Sequence, residues 1–127
     1  MSNKQVITGE AIPKSFLPFS PAMRAGDFVF ISGQASVDKE GNIIEDSFEE
    51  ECRRSFENLG LILGGAGLDF SDLVKVQNFL GKPEYRAAFN EIYKEFFSFP
   101  FPARTTIVGC LGDLLKFEVD AVAYIKK

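Results

Sequence analysis

Residues Pro102–Tyr124 read PARTTIVGCLGDLLKFEVDAVAY, a run rich in the β-branched and aromatic residues that suit a pleated sheet. The turn residues at Gly112–Asp113 predict two strands that pair antiparallel around them. Because side chains alternate between the two faces of a strand, one face of the second strand is predicted to be core. That core face carries Phe117, Val119, Ala121, Ala123 and Ile125. Glu118 and Asp120 share the opposite face with Tyr124.

The predicted hairpin brings an arginine and a glutamate together. Arg104 lies on the first strand, on the same face as Thr106, Val108 and Cys110. Antiparallel pairing about the turn would place Arg104 and Glu118 at similar depth and on the same side of the sheet. Such a pair can be a partly buried ion pair that fixes strand register, which is the commoner case, or a functional pair. Geometry alone leaves both interpretations open.

Length, charge and cysteine content limit the classes of protein that fit. A chain of 127 residues predicts one domain, spanning residues 1–127. Fourteen Lys and Arg against eighteen Asp and Glu give a net charge of −4, so nucleic acid is not an expected partner. The first residues lack the apolar run of a signal peptide, and no run is long enough to span a bilayer, so no membrane association is expected. With only Cys52 and Cys110, a cytoplasmic protein with reduced thiols fits best.

The chain contains no histidine, and this absence constrains any chemistry. It removes Ser-His and Cys-His nucleophile systems and the usual zinc ligand sets, so no metal site is expected. Acid–base work in an enzyme of this composition falls to carboxylates, Lys, Tyr, or backbone and water. The glycines of residues 64–67 lack the Lys-Ser/Thr of a phosphate loop and follow a helical pattern. They are interpreted as a helix C-terminus, where Gly adopts the left-handed conformation.

Hydrophobic periodicity predicts the remaining elements. Ser47 begins a capping-box motif, and the apolar residues behind it recur at three- and four-residue steps, which predicts a first helix. Pro83 suits the first turn of a second helix, and residues 15–25, with prolines nearby, are predicted to form a loop. Further strands are predicted at residues 4–8, 28–34 and 73–80. The order predicts an α/β (α+β) domain in which two helices cover one face of a sheet.

The strand at residues 28–34 argues for an oligomer. It carries four consecutive apolar residues, Phe28–Ile31, so apolar side chains point to both faces of the sheet. The two helices can cover only one face, and the other would leave large apolar side chains in water. We therefore expect copies of the chain to associate through that face, with any pocket where subunits meet.

Six short motifs are spread over nearly the whole chain. They are residues 25–34, residues 58–59 with 66–67, residues 72–75, residues 89–93 with 96–97, residues 102–106, and residues 117–121. Together they resemble the Rid (reactive intermediate deaminase) family, also called YjgF-like, and the Pro-Ala-Arg strand followed by a glutamate-bearing strand is the most specific of them. The resemblance implies a chorismate-mutase-like fold, with a mixed sheet and two helices on one face. It also implies a homotrimer with a central barrel of sheets and ligand clefts between subunits.

Members of this family hydrolyse enamine and imine acids, such as 2-aminoacrylate and 2-iminobutyrate, to 2-keto acids and ammonia without a metal or organic cofactor. The resemblance therefore implies a hydrolase of the 2-iminobutanoate/2-iminopropanoate deaminase type. Arg104 matches the family's substrate-clamping arginine, whose planar fork can hold a carboxylate bidentately. Glu118 matches the glutamate that handles the attacking water. Thr106 occupies a place often held by cysteine, and Ser32 and Asn90 match further pocket positions or form structural hydrogen bonds.

One departure from the family concerns the proline-rich loop before the Ser-Gly-Gln strand. Many active members carry Pro-Tyr-Ser there, whereas this chain has Phe19 between Pro18 and Ser20, so the ring is kept and the hydroxyl is lost. A hydroxyl that assists proton transfer is worth about 10²–10⁴-fold in rate. Two functions therefore stay open: a deaminase of 2-imino acids, or a non-catalytic trimer that binds small carboxylates or a protein partner. Phe19 favours the second, and the retained Arg104 and Glu118 favour the first.

Overall fold

A six-stranded sheet with both helices on one of its faces organises the chain. The structure is a computed structural model that describes residues 3–126. The strands are β1 (Lys4–Val6), β2 (Ala22–Ala25), β3 (Phe28–Gln34), β4 (Leu73–Leu80), β5 (Ala103–Val108) and β6 (Phe117–Tyr124). The helices are α1 (Phe48–Gly65) and α2 (Arg86–Phe96), with one-turn 3₁₀ helices at Phe70–Asp72 and Pro83–Tyr85. The predicted α+β class is confirmed, and none of the described helices is long and apolar enough to cross a membrane.

β6 lies inside the sheet, whose strand order is β1-β2-β3-β6-β4-β5. Neighbouring strands are antiparallel except β4 and β5, which run parallel. The predicted hairpin is therefore wrong, because β4 lies between β5 and β6. The connection crosses the end of β4, where Gly109 N–H donates to Leu80 O over 2.9 Å and Gly81 N–H donates to Lys116 O over 2.9 Å. These two hydrogen bonds hold the connecting loop over β4 instead of letting it close as a tight turn.

α1 begins and ends close to where the sequence predicts. The Ser47 hydroxyl accepts a hydrogen bond from Glu50 N–H over 3.2 Å, and Gly67 adopts a φ of +73° just beyond the helix. The second half of the predicted capping box is replaced, because Ser47 N–H donates to Asp46 Oδ1 over 2.8 Å and Glu50 pairs with Arg53. The apolar stripe of α1 is buried and consists of Phe48, Cys52, Phe56, Leu59 and Leu63. Packing of this stripe supplies much of the core.

The prediction of a loop over residues 15–25 is wrong at its end, where Ala22–Ala25 form β2. This strand pairs with β1 and with β3, in a register that places Ala22 opposite Ile31. The sequence Ala-Met-Arg-Ala contains no β-branched residue, so no local pattern marks it as a strand. It is extended because the edge of β3 offers backbone groups that need partners.

The face of the sheet away from the helices, called the open face below, keeps aromatic side chains in solvent. Alternation along β6 buries Phe117 and leaves Glu118 on the open face, as predicted. Phe28 and Phe30 lie on the open face with 41% and 49% of their surface exposed. The ring of Phe28 also contacts Tyr124, with 5.5 Å between the ring centres. The prediction that one copy leaves large apolar groups uncovered is confirmed.

Candidate functional site

Arg104 is held by side chains of α2. It lies on β5 in register with the buried Val76 of β4, so it projects on the helix-covered side of the sheet. There its guanidinium carbon lies 4.7 Å from the centre of the Tyr93 ring and 5.1 Å from that of Phe89. One guanidinium nitrogen, Nη2, donates to Asn90 Oδ1 over 2.6 Å. We call Arg104, Asn90, Phe89 and Tyr93 the arginine half-site.

The arginine half-site presents a fixed cation with free donors. A guanidinium over aromatic faces is attracted by the ring quadrupoles, and the hydrogen bond to Asn90 fixes its orientation. Arg104 has no carboxylate partner among residues 3–126, so most of its N–H donors are available. A cavity of about 510 Å³ opens beside it and is lined by Asn90, Tyr93, Lys94, Phe101, Pro102 and Arg104. This arrangement suits a small molecule with a planar carboxylate.

Tyr93 combines burial with an unsatisfied hydroxyl. The residue is 4% exposed, and no group within the described chain forms a hydrogen bond with its hydroxyl. Burial raises the pKa of Tyr93 to about 12, while the nearby Arg104 guanidinium acts in the opposite direction. The phenol is therefore neutral at physiological pH, and its ring supports the Arg104 cation. The aromatic stripe of α2 belongs to the core, as the sequence predicts. Two of its rings, Phe89 and Tyr93, also contact the Arg104 guanidinium.

Glu118 occupies the open face of β6. Its carboxylate lies against Gly33, where an added Cβ would come within 2.7 Å of Oε2, so only glycine allows this close approach. β3 is irregular at this point, with its register shifted between Ile31 and Gln34. Between residues 3 and 126, no hydrogen-bond donor or ion-pair partner contacts the carboxylate. Burial, and to a lesser degree the charge of Asp120, raise the pKa of the Glu118 carboxyl above its ordinary value.

Ser32 fixes the loop that carries Phe19. Its hydroxyl donates to Ser20 O over 2.7 Å, and its N–H donates to Pro21 O over 3.0 Å. Both bonds tie the proline-rich loop to β3, which supports the structural interpretation of Ser32. Phe19 is half exposed and, together with Gly33, lines a cavity of about 520 Å³. We call Glu118, Gly33, Ser32 and Phe19 the glutamate half-site.

The two half-sites of one chain lie apart. β4 separates their strands, and Arg104 pairs with Val76 whereas Glu118 pairs with Phe79, an offset of 79 − 76 = 3 residues. Two strand spacings and this offset put the two Cα atoms about 14 Å apart. The side chains also project to opposite faces of the sheet. The prediction that Arg104 and Glu118 share a face at similar depth is therefore wrong, and no ion pair joins them within the described chain.

Thr106 lies on the arginine side of the sheet. It is in register with the buried Asn78 of β4, so it shares the helix-covered side with Arg104 and Val108, as predicted. Cys110 falls outside β5, in the connecting loop, so its predicted place on this strand face is wrong. The strand ends before Cys110 because Gly109 turns the chain with a φ of +90°.

Sequence reasoning missed the residues that position the Arg104 guanidinium and the Glu118 carboxylate. Gly33 sits inside a strand, and a glycine there often marks a place where another group approaches the backbone closely. That signal was available in the Ser-Gly-Gln sequence. Phe89 and Tyr93 are four residues apart on α2, so they share a face, but nothing local shows that a cation rests on that face.

Together the half-sites offer an anion clamp and a proton acceptor. Nowhere among residues 3–126 do three Cys, Asp or Glu side chains cluster in a way that could hold a metal ion. An oriented guanidinium binds and aligns a carboxylate. A carboxyl with a raised pKa can accept and return a proton. A site in which both groups met one molecule would suit addition of water to the double bond of a small unsaturated carboxylic acid.

Comparisons with known proteins find relatives along nearly the whole chain. Residues 9–125 match the family model described as Endoribonuclease L-PSP. A RutC family protein of Pyrococcus horikoshii is 37% identical over 123 residues, which cover 95% of this chain and 98% of that protein. The human 2-iminobutanoate/2-iminopropanoate deaminase is 34% identical over 122 residues, which cover 94% of this chain and 89% of that enzyme. The crystal structure of RidA from the Antarctic bacterium Psychrobacter sp. PAMC 21119 matches with a TM-score of 0.88 and 30% identity, over 95% of this chain and 99% of that one.

Proposed function

Because the chain belongs to the Endoribonuclease L-PSP family, which is the YjgF/RidA family, we propose that it hydrolyses reactive 2-imino acids to 2-keto acids and ammonia. Relatives at 31–34% identity that carry the name 2-iminobutanoate/2-iminopropanoate deaminase support this proposal. The family's description also names an endoribonuclease. A net charge of −4, however, gives this chain little attraction for an RNA backbone, so RNA is not the substrate we propose.

The observation that carries the proposal is the pair of complementary, unpaired groups in the two half-sites. Arg104 is seated on Tyr93 and bonded to Asn90, with donors left for a carboxylate. Glu118 has no partner within the described chain, and its raised pKa favours proton exchange. A structural ion pair would join these two groups, whereas here each is left free to meet a substrate.

In the proposed reaction Arg104 holds the substrate carboxylate, and the C=N carbon faces Glu118. Glu118 takes a proton from water as the water oxygen bonds to that carbon, and passes the proton to nitrogen, which gives a carbinolamine. Glu118 then takes the hydroxyl proton and returns it to nitrogen. The C–N bond breaks with its electron pair on ammonia, and the carbonyl of the 2-keto acid forms. Positioning and proton transfer suffice in this scheme, so it uses no cofactor.

A complete site requires two copies of the chain in this proposal. The half-sites lie on opposite faces of one sheet, so a substrate of a few carbon atoms cannot touch both within one chain. The exposed aromatic residues of the open face support contact with another copy there. We therefore propose the homotrimer that the resemblance implies. Each cleft would combine the arginine half-site of one subunit with the glutamate half-site of its neighbour.

The direct test couples the protein to a pyridoxal-phosphate-dependent serine or threonine dehydratase, which releases the imine. We expect added protein to speed the loss of imine absorbance and the appearance of 2-keto acid in proportion to its concentration. No acceleration at any concentration would contradict the deaminase proposal. Binding of 2-ketobutyrate in calorimetry would then support the second candidate, a carboxylate-binding protein without turnover.

Phe19 is the observation that favours this second candidate, and its replacement tests it. Phe19→Tyr introduces a phenol hydroxyl in the glutamate half-site, at a ring that is half exposed. We expect the variant to raise the rate on 2-iminobutyrate by about tenfold or more, because a positioned hydroxyl can place water or pass a proton. Stopped-flow loss of imine absorbance measures the change. Phe99→Tyr, at an exposed position outside both cavities, is the matched control. An unchanged or lower rate in Phe19→Tyr would mean that this cleft does not use a tyrosine hydroxyl.

A further inference from the structure

We propose that the cavity lined by Phe19 and Gly33, the glycine against which the Glu118 carboxylate lies, binds an apolar side chain of the substrate, so that the preferred 2-imino acids carry branched or aromatic side chains. This inference rests on the proposed deaminase function and narrows its substrate class. The cavity measures about 520 Å³, and we call it the side-chain cavity. Cavities of about 300–1,000 Å³ hold ligands far larger than an ethyl group. The side-chain cavity therefore has room for more than the side chain of 2-iminobutyrate.

The side-chain cavity adjoins the glutamate half-site at Gly33. Atoms of Gly33 line the cavity, and the Glu118 carboxylate lies against the same residue. Phe19, from the proline-rich loop, lines the cavity as well. In the proposed complex, a substrate whose C=N carbon faces Glu118 extends its side chain past Gly33 into the side-chain cavity.

Exposed apolar side chains surround the side-chain cavity on two loops. Phe16 is 88% exposed, Leu17 67% and Leu114 65%. Local hydrogen bonds shape the loop that presents the first two, because Leu17 N–H donates to Ser15 Oγ over 3.2 Å and Phe19 N–H donates to Leu17 O over 2.8 Å. While these apolar surfaces are exposed to water, they contribute little to the stability of the fold. A bound apolar side chain would remove them from water and would itself be desolvated, which favours the complex.

Three polar side chains of the lining already have partners. Lys14 Nζ pairs with Glu40 at 3.1 Å, and Gln34 Nε2 donates to Ser32 O over 3.0 Å. Ser15 Oγ accepts the loop N–H described above. A charged or amide side chain of a substrate would have to compete with these partners, and burying such a side chain without partners is costly. The lining favours an apolar occupant.

The test measures kcat/KM on imines that an L-amino acid oxidase generates from alanine, leucine and phenylalanine. Because each buried methylene is worth about fourfold in binding, we expect the two larger imines to be preferred over the alanine-derived imine by about tenfold or more. Leu114→Asn and Phe16→Ser remove apolar surface at exposed positions, where folding is little affected. Each variant should lower the preference by about threefold or more.

Two further variants sharpen this test. Leu61→Ser removes a leucine of similar character from α1, where it is 41% exposed and far in sequence from either loop, and it should leave the preference unchanged. Leu114→Met keeps the apolar surface and should keep the preference that Leu114→Asn loses.

Failure of this inference and failure of the proposed function give different results. No acceleration on any imine would overturn the proposed function and this inference with it. Acceleration of all three imines without preference, or with preference for the alanine-derived imine, would overturn the proposed role of the side-chain cavity and leave the proposed function intact. A changed mass of the assembly in Leu114→Asn or Phe16→Ser, measured by light scattering, would also overturn it, because these loops would then form a subunit contact.

Discussion

Replacing Glu118 with glutamine is expected to lower kcat for imine hydrolysis by about 10²–10⁴-fold. Glutamine keeps the size and shape of the side chain against Gly33 but cannot take a proton from water. Binding of a 2-keto acid should persist, because the proposed carboxylate clamp belongs to the arginine half-site. Calorimetry with 2-ketobutyrate and turnover of 2-iminobutyrate on one preparation separate the two effects. Joint loss of binding and turnover would indicate a structural role for Glu118.

The same substitution should stabilise the fold at neutral pH. Burial and Asp120 raise the pKa of Glu118 in the folded chain, so the ionised carboxylate is less favourable there than in the unfolded chain. This cost in the free energy of folding is absent in acid, where the carboxyl is protonated in both the folded and the unfolded chain. It appears as the pH rises through the ordinary pKa of glutamate and is complete above the raised value. The unfolding temperature of Glu118→Gln should therefore exceed that of the native chain at neutral pH and approach it in acid.

Asp120→Asn is the matched control for this variant. Asp120 lies on the same face of β6, and its charge is one of the two causes that raise the pKa of Glu118. Removing that charge should shift the acidic limb of the kcat/KM profile to lower pH, because Glu118 would ionise more easily. Turnover on the plateau should remain, since the proton acceptor is still present.

The local pattern of β6 predicts its faces but not its neighbours. Alternation assigns Phe117 to the core and Glu118 to the other face, and the structure agrees, because burial of one face is a property of a single strand. Pairing depends on distant residues. Residues 109–116 are long enough either to close a hairpin or to cross one strand. The chain crosses because β4 (Leu73–Leu80) lies between β5 and β6 in the sheet. Nothing within residues 102–124 indicates that another strand takes this position.

For the candidate site, too, the sequence predicts some features and not others. Motif resemblance assigns roles to Arg104, Glu118 and Asn90, and the structure places Asn90 in contact with Arg104. The separation of Arg104 from Glu118 could not be predicted, because it follows from the parallel pairing of β5 with β4. Phe89 and Tyr93 illustrate the same limit. Their apolar spacing predicts burial, whereas their contact with a cation depends on where β5 delivers the arginine.

Replacing Arg104 with lysine is expected to lower kcat/KM for imine hydrolysis by about 10- to 100-fold, mostly through weaker substrate binding. Lysine keeps the charge and can still approach the Tyr93 ring, but it lacks the planar fork that bonds Asn90 and a carboxylate at the same time. Folding should be intact, because Arg104 is exposed. Calorimetry with 2-ketobutyrate measures the loss of carboxylate binding, and thermal unfolding measures whether the fold is intact. Arg86→Lys, an exposed arginine on α2, is the matched control and should keep full activity.

Full activity in Arg104→Lys would contradict the clamp, and failure to assemble would indicate a structural role at the subunit contact. Mixing Arg104→Lys with Glu118→Gln decides where the site is built. If each cleft joins the arginine half-site of one subunit to the glutamate half-site of its neighbour, random mixing at equal amounts leaves about a quarter of the clefts with both native residues. The mixture should then recover about a quarter of the native activity, well above either variant alone. A site contained within one chain would leave the mixture at the average activity of the two variants, because every chain in the mixture lacks one of its two native groups.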